Sequence, residues 1–393
     1  MMKANTGSSV NVNARTAGLE AAGRAGQGLD QINLAFIYAS SDYELDEMLQ
    51  GAREALPGVP FIGGTSYRGL ILPEGLISGR RFVGVLALSD PDLTVGVAAA
   101  HNRENDDTVA VGREAALAAM KKAGRTDPPD YFHLASSASL EEDYLLGISE
   151  AIGRKPVFGA SAADNEIMGD WRVFTDQELV GDGLAVAVFY SDRPLVNHFS
   201  SEPYRELEER CVIKKMIGQR KLVEVEGSKS LLQRIIERDN LDPDFLAAAD
   251  LQMSVILDPV GVKDRLGRLT SLAFPMYLNP DGSIDFGSNL SEGDMAIHMQ
   301  ARLEDLPTAG GQELEVLKKK MNGQAAAYHL AMGFGRAMIM RADEIMGQAA
   351  DLICRAADGV PFIMAFTLTE CGFVADGANT CANLMLSYSG FPR

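Results

Sequence analysis

The stretch "ASSDYELDEMLQGAREALPGVPFIGGTS", residues 39–66, matches "ASSASLEEDYLLGISEAIGRKPVFGASA", residues 135–162, at an offset of 96 with no gap. Nine of the 28 positions are identical: Ala39/Ala135, Ser40/Ser136, Ser41/Ser137, Leu49/Leu145, Gly51/Gly147, Glu54/Glu150, Ala55/Ala151, Pro60/Pro156 and Gly63/Gly159. A strand-like run precedes each copy ("INLAFIY", "DYFHL"), and β-like segments follow, "RRFVGVLAL" and "GLAVAVFY". The unit reads as strand, serine-rich turn, helix, strand, small-residue turn, strand. Acidic residues after the serines, in "SSDYELDE" and "SSASLEED", suit a first helical turn, where negative charge meets the helix dipole. The serines therefore have two readings, helix caps or ligand contacts.

A weaker third echo lies near the C-terminus. "GVPFI" occurs at 58–62 and again at 359–363, there after an apolar strand, "AAAYHLAMGFGR" (325–336), and a helix-like stretch, "DEIMGQAADLICRAAD". The repetition predicts that equivalent turns gather at one sheet edge, and in α/β architectures ligands sit at the carboxyl ends of strands. Between these units lies a mainly β region. "CVIKKMIGQRKLVEVEG" (211–227) reads as a hairpin followed by a helix, "SKSLLQRIIERD", and 269–290 reads as a second hairpin turned at Asn279-Pro280-Asp281-Gly282. The expected fold class is α/β with α+β character: mixed sheets with helices, built from strand-helix-strand-strand units in two domains. Residues 1–225 would form the first, with a duplication over 31–100 and 127–192, and residues 226–393 the second.

Hydrophobic residues make up 46% of the 393-residue chain and charged residues 23%, the balance of a globular protein. The longest apolar run, "LAVAVFY" (184–190), is far short of the roughly 20 residues that cross a bilayer. The first thirty residues contain no apolar signal-peptide core. A net charge of −18 argues against nucleic acid or an anionic membrane as partner. Four cysteines without a CxxC read as reduced thiols, which points to a cytoplasmic location.

Catalytic readings find little support. "PVFGASAADN" (156–165) approaches a nucleophile elbow at Ser161, but Thr65 occupies the matching place in the first copy, and no amphipathic helix follows. The five histidines are scattered, with no zinc-site spacing. His133 and His329 sit in apolar strand runs, where a core histidine is the usual explanation and an axial haem ligand the sharper one. In "TECGFVADGANTCANL" (369–384), Cys371 has no nearby base, so packing or a redox-sensitive thiol is the better reading of Cys371 and Cys381. "GFGRAM" (333–338) lacks the third glycine of a dinucleotide fingerprint.

Taken together, "LAFIYASSDYELDEML", "VPFIGGTS", "PVFGASAADN" with "GDGLAVAVFY", and "CVIKKMIGQRKLVEVEG", followed by "ILDPVGV", "NPDGSIDF", "SEGD", "MGFGR" and "GVPFIMAFTLTECG", resemble the FIST family with its FIST N and FIST C domains. The resemblance runs from about residue 8 onward. It implies a non-enzymatic sensory module that binds a small ligand, an amino acid being one option, and signals to a histidine kinase, a cyclase or a chemotaxis protein. Some members resemble haem-binding nitric oxide sensors, which makes haem a possible cofactor, with His329 or His133 as axial ligand. Without an attached output domain, the chain reads as a stand-alone member needing a partner, with homo-oligomerisation open. Two departures stand out: Arg68-Gly69 replaces a usual Gly-Glu pair, and Cys381 falls where a histidine is usual.

The expected ligand pocket is lined by Ser40, Ser41, Ser136, Ser137, Gly159, Ser161, Asp164 and Asn165, with Arg336 and Glu370 from the second domain. Small turn residues let backbone N–H groups approach a ligand. Arg336 would hold a carboxylate bidentately, and Asp164 or Glu370 an ammonium group. A hydrolase using Ser161 or Cys371 is the remaining alternative.

Overall fold

In the computed structural model, which describes residues 1–227, 255–263, 267, 269–322, 324–342, 344–373 and 379–393, three sheets repeat one strand order. The first unit runs β1 (Lys3–Ser9), α1 (Ala14–Gly26), β2 (Leu34–Ala39), α2 (Leu45–Ala55), β3 (Phe61–Thr65), the hairpin β4 (Gly69–Leu72) and β5 (Gly75–Ser78), then β6 (Val83–Ser89). The second runs β7 (Thr94–His101), α3 (Thr108–Lys122), β8 (Tyr131–Ser136), α4 (Glu141–Ile152), β9 (Val157–Ser161), β10 (Val173–Thr175), β11 (Leu179–Val180) and β12 (Gly183–Tyr190). The third opens with β13 (Val196–Ser200). It is interrupted by β14 (Arg205–Ile217), β15 (Lys221–Val225), β16 (Val260–Lys263), β17 (Leu269–Ala273), β18 (Pro275–Leu278), β19 (Ile284–Phe286) and β20 (Met295–Gln300). It resumes with α5 (Leu306–Lys320), β21 (Ala325–Gly333), α6 (Phe334–Ala342), α7 (Met346–Ala357), β22 (Phe362–Thr367), β23 (Glu370–Phe373), β24 (Asn379–Ala382) and β25 (Leu386–Pro392).

The shared orders are β1-β6-β2-β3, β7-β12-β8-β9 and β13-β25-β21-β22. In each, the last two strands are parallel and the others antiparallel. Each sheet is then extended by a neighbour's hairpin: β10-β11 of the second unit joins β3, β23-β24 of the third joins β9, and β4-β5 of the first joins β22. The exchange is cyclic, so the three units surround a common axis. A ring of backbone hydrogen bonds closes around it, in which Ala163 N–H donates to Thr65 O (3.0 Å), Leu368 N–H to Ser161 O (3.2 Å) and Tyr67 N–H to Phe366 O (3.0 Å).

The glycines shared by the two sequence copies have a packing cause. A Cβ on Gly51 would lie 1.9 Å from Arg15 O, and one on Gly147 would lie 1.8 Å from Val109 O, so only glycine lets α2 sit on α1 and α4 on α3. Gly63 and Gly159 are equally close to the backbone of the adjoining strand, at 1.7 Å from Ile37 O and 2.0 Å from Leu134 O. The strands carry nearly unbroken apolar runs because helices cover one face and the shared hub covers the other.

The gap-free overlay needs one correction. Ala39 pairs with Thr65, whereas Ser136 pairs with Ser161, and Ser40 N–H bonds Phe82 O where Ser137 N–H bonds Gly183 O. Ser40 therefore corresponds to Ser137, one residue off the sequence alignment, because the turn into the helix is one residue shorter in the second unit.

A boundary at 225 would cut through a single seven-stranded sheet, β17-β16-β20-β14-β15-β19-β18, which is inserted into the third unit. Both expected hairpins are present, β14 with β15 and β18 with β19, the latter turning through Asn279–Gly282. The expected strand 325–336 ends at Gly333, where α6 begins. The expected helix at 228–239 lies outside the described residues.

Three equivalent residues, Phe36, His133 and His329, meet on the axis. Each follows the residue whose N–H bonds a proline carbonyl: Ala35 to Pro60, Phe132 to Pro156 and Tyr328 to Pro361. Their ring centroids form a triangle with sides of 5.1, 4.8 and 4.9 Å, and Phe158 packs against it. Tyr38 Oη lies 2.8 Å from His329 Nε2, while neither nitrogen of His133 has a partner among the described residues. Burial holds His329 down at about 3, and burial followed by the neighbouring His329 holds His133 well below 6.5. Both therefore stay neutral in the folded protein while the unfolded chain takes up protons below pH 6.5. Stability is expected to be full above about pH 6.5 and to fall toward pH 3, by about 1.4 kcal/mol per unit for each histidine. His133→Phe restores the residue type found at position 36 and removes two unpaired polar atoms. It should raise stability by about 1 kcal/mol at pH 7 and by more at pH 5 in urea unfolding; destabilisation at both pH values would contradict this account.

Candidate functional site

The parallel strands β2, β3, β8, β9, β21 and β22 all end on one face of the molecule, and the loops that follow them carry most of the expected residues. The Ser40 hydroxyl accepts from Asn165 Nδ2 (2.9 Å) and Asp42 N–H (3.1 Å) and donates to Arg80 O. Ser41 Oγ accepts from Asn165 N–H (3.1 Å), and Asn165 Oδ1 accepts from Arg68 N–H (3.0 Å). Asn165 thereby ties the first unit to the second. Next to it, the buried Asp164 carboxylate accepts from the N–H groups of Glu166 (2.8 Å), Met168, Gly169 (2.9 Å) and Asp170 (3.0 Å). Its charge is used to hold the 166–170 loop, not to receive an ammonium group.

In the second unit, Ser137 Oγ accepts from Gly183 N–H (3.0 Å), the counterpart of the Ser40 latch. Ser136 and Ser161 face each other across β8 and β9, fully buried, and neither hydroxyl has a partner among the described residues. Gly159 sits mid-strand against Leu134, away from any loop. For a hydrolase, Ser161 has no hydrogen-bonded base among the described residues. Cys371 Sγ lies 2.7 Å from Cys381 Sγ, and burial raises both thiols, which disfavours a nucleophilic thiolate.

Arg336 and Glu370 belong to the scaffold. Arg336, 1% exposed, donates to Leu384 O (2.6 Å), Glu202 O (2.6 Å) and Ser201 O (3.2 Å), and lies 4.9 Å over the Tyr204 ring. Each of its three nitrogens donates to a backbone carbonyl, and the group is buried in the fold rather than open to a ligand. Glu370 is fully buried, with Thr367 Oγ1 2.6 Å from Oε1 and Met385 N–H donating to Oε2 (2.9 Å). Neither histidine offered for haem fits the group. Both are closed in by Phe36 and Phe158, and His329 Nε2 is already bonded to Tyr38. Among the described residues no cluster of histidine, cysteine or carboxylate could hold a metal ion.

A cavity of about 500 Å³ opens on this face, between the loops of the second and third units and the inserted sheet. Trp171, Phe334, Phe286 and Leu368 give it an apolar wall, and Thr369, Asn383, Arg220 and Asp285 supply polar groups. Sequence reasoning missed these residues. The one available signal was Trp171, the single tryptophan of the chain, placed just beyond the "GASAADN" turn.

Residues 33–228 match the FIST N domain. The chain belongs to the FIST family. FIST is a family of sensory, signal-transduction domains, and the match spans the first unit from β2 onward, the second unit, β13 and the start of the inserted sheet. No curated protein matches the sequence. Among solved structures, a cyanuric acid hydrolase from A. caulinodans aligns over 100% of both chains at 9% identity and a TM-score of 0.39. PurL from Thermotoga maritima complexed with AMPPCP aligns over 99% of this chain and 72% of its own at 12% identity and a TM-score of 0.24. Likeness this low carries no inference about chemistry. Among the described residues no helix is long and apolar enough to cross a membrane.

Burial pushes the Glu370 carboxyl up to about 8, against the pull of the Thr367 and Met385 hydrogen bonds and of Arg336. The folded state therefore keeps a proton that the unfolded chain releases near 4.5, so this contribution to stability is full below that value and is lost as pH rises toward 8. Glu370→Gln keeps a polar partner for the Thr367 hydroxyl and an acceptor for Met385 N–H. The variant should melt close to the wild type at pH 5 and above it at pH 8; a lower melting temperature at both would show that the charged form is the native one.

Proposed function

We propose that this FIST protein is a cytoplasmic sensor of a small ligand of amino-acid type, signalling to a histidine kinase or cyclase. The observation that carries the reading is the roughly 500 Å³ cavity, which sets an aromatic wall beside the Asp285 carboxylate, while Arg220 at its edge is already paired with Glu141 (3.0 Å) and Glu142 (2.7 Å). Its size falls within the usual range for small-molecule sites, as does its mixture of apolar lining and a few polar groups. An amino acid with an apolar side chain matches that lining, its ammonium toward Asp285 and its side chain against Trp171 and Phe334.

Two features support signalling through a partner. The cavity is walled by loops of two units and by the inserted sheet, so an occupant touches elements far apart in sequence. Its rim also carries exposed apolar side chains, Met168 at 79% and Tyr277 at 56%, next to the ligand entrance. Exposed apolar groups gathered at a functional rim favour protein contact.

A thermal-shift screen with amino acids tests this reading. A true ligand at 100 times its dissociation constant stabilises by about 2.7 kcal/mol. Trp171→Ala should abolish that response while leaving the ligand-free melting temperature within a few degrees. A panel of amino acids that leaves the wild type unmoved would remove the amino-acid assignment.

A further inference from the structure

A second recess on the same face differs in character from the apolar cavity. It encloses about 570 Å³ and is lined by Asp42, Arg68, Gly79, Arg80, Asn165, Glu166 and Arg341, three guanidinium groups against two carboxylates in a chain of net charge −18. All three units contribute: Arg68 and Arg80 come from the first, Asn165 and Glu166 from the second, and Arg341 from α6 of the third.

The cations are not equally neutralised. Arg80 pairs with Asp42 at 2.9 Å, and Arg68 with Glu166 at 2.8 Å. Arg68 is also fixed in place, its Nε donating to Asn165 O (2.8 Å) and its backbone held at a φ of 50°. Arg341 has no carboxylate partner among the described residues. One of its terminal N–H groups donates to Arg68 O (2.9 Å), and its buried Nε has no acceptor among the described residues. Burial, with Arg68 alongside, pulls Arg341 below its ordinary value, although Tyr67 works the other way. A half-buried guanidinium left unpaired beside another one is costly unless an anion completes the site.

We propose that this recess binds an oxyanion, a phosphate or carboxylate carried by a small polar metabolite, held between the guanidinium groups of Arg341 and Arg68 with Arg80 at the rim. Guanidinium forks recognise both anions bidentately, so the shared chemistry is a planar or tetrahedral set of acceptor oxygens. The site is separate from the apolar cavity, on the other side of the 164–170 loop, and does not depend on what that cavity binds. Because its residues come from three units, occupancy would fasten them together at the mouth of the axis.

The test is a thermal-shift and calorimetric titration of the full chain with inorganic phosphate and, in parallel, succinate, each against sodium chloride at equal ionic strength. We expect saturable stabilisation by at least one of the two anions, and the tighter one identifies the source chemistry. Arg341→Met, which keeps the apolar stem and deletes the charge, should weaken that anion at least tenfold without lowering the ligand-free melting temperature. Should that variant not fold, Arg80→Gln, on a side chain 92% exposed, is expected to weaken binding at least threefold. Neither anion exceeding chloride, or unchanged affinity in the folded variants, overturns the proposal. Trp171→Ala should leave the anion response intact, and Arg341→Met should leave any amino-acid response intact, so the two sites fail separately.

Discussion

The architecture depends on a cyclic exchange of backbone hydrogen bonds at the axis. Each unit donates an N–H just past its small-residue turn to the strand end of another unit: Ala163 to Thr65, Leu368 to Ser161 and Tyr67 to Phe366. These groups are buried, and a buried backbone group left unpaired would be costly, so the three turns can satisfy themselves only together. That requirement explains why the turn residues are small and why the serines around them bond to one another's loops. It also brings six strand ends to one face, where the apolar cavity and the arginine-lined recess both open.

Much of this was legible in the chain. The offset of 96 exposed the first two units because their glycines are fixed by contacts below 2.1 Å, which no other residue tolerates. The third unit left only "GVPFI" as a trace. Its two halves are separated by the inserted sheet, and it lacks the shared glycines, with Leu330 opposite Met364 where Ile37 faces Gly63. The one-residue slip at Ser40 and Ser137 was invisible, since serines stand at both neighbouring positions in both copies.

The expected pocket residues illustrate a different limit. Asp164, Asn165, Arg336 and Glu370 stood out by chemical type, and the structure gives each of them internal partners. A carboxylate accepting four backbone N–H groups and a guanidinium donating to three carbonyls look, in sequence, like binding groups. Sequence displays the donor or acceptor but not the backbone that satisfies it. The cavity walls are the reverse case: Phe334, Phe286 and Leu368 read as ordinary core residues and become a cavity wall only where loops from distant units leave them uncovered. Arg341 was hidden for a similar reason, since its neighbour Arg68 lies 273 residues away.

The traded hairpins bear on how the molecule is made. Ser66 bonds Phe366 across 300 residues, and β4-β5 finds its sheet only once β22 exists. During synthesis the first unit therefore waits with the hairpin unpaired and the end of its own sheet open, because β3 is covered only after β10 has emerged. Contacts of such long sequence separation are slow to form, and open strand edges invite pairing with other chains. The first unit therefore settles late: β22, from the far end of the third unit, is the piece whose arrival gives β4-β5 its sheet.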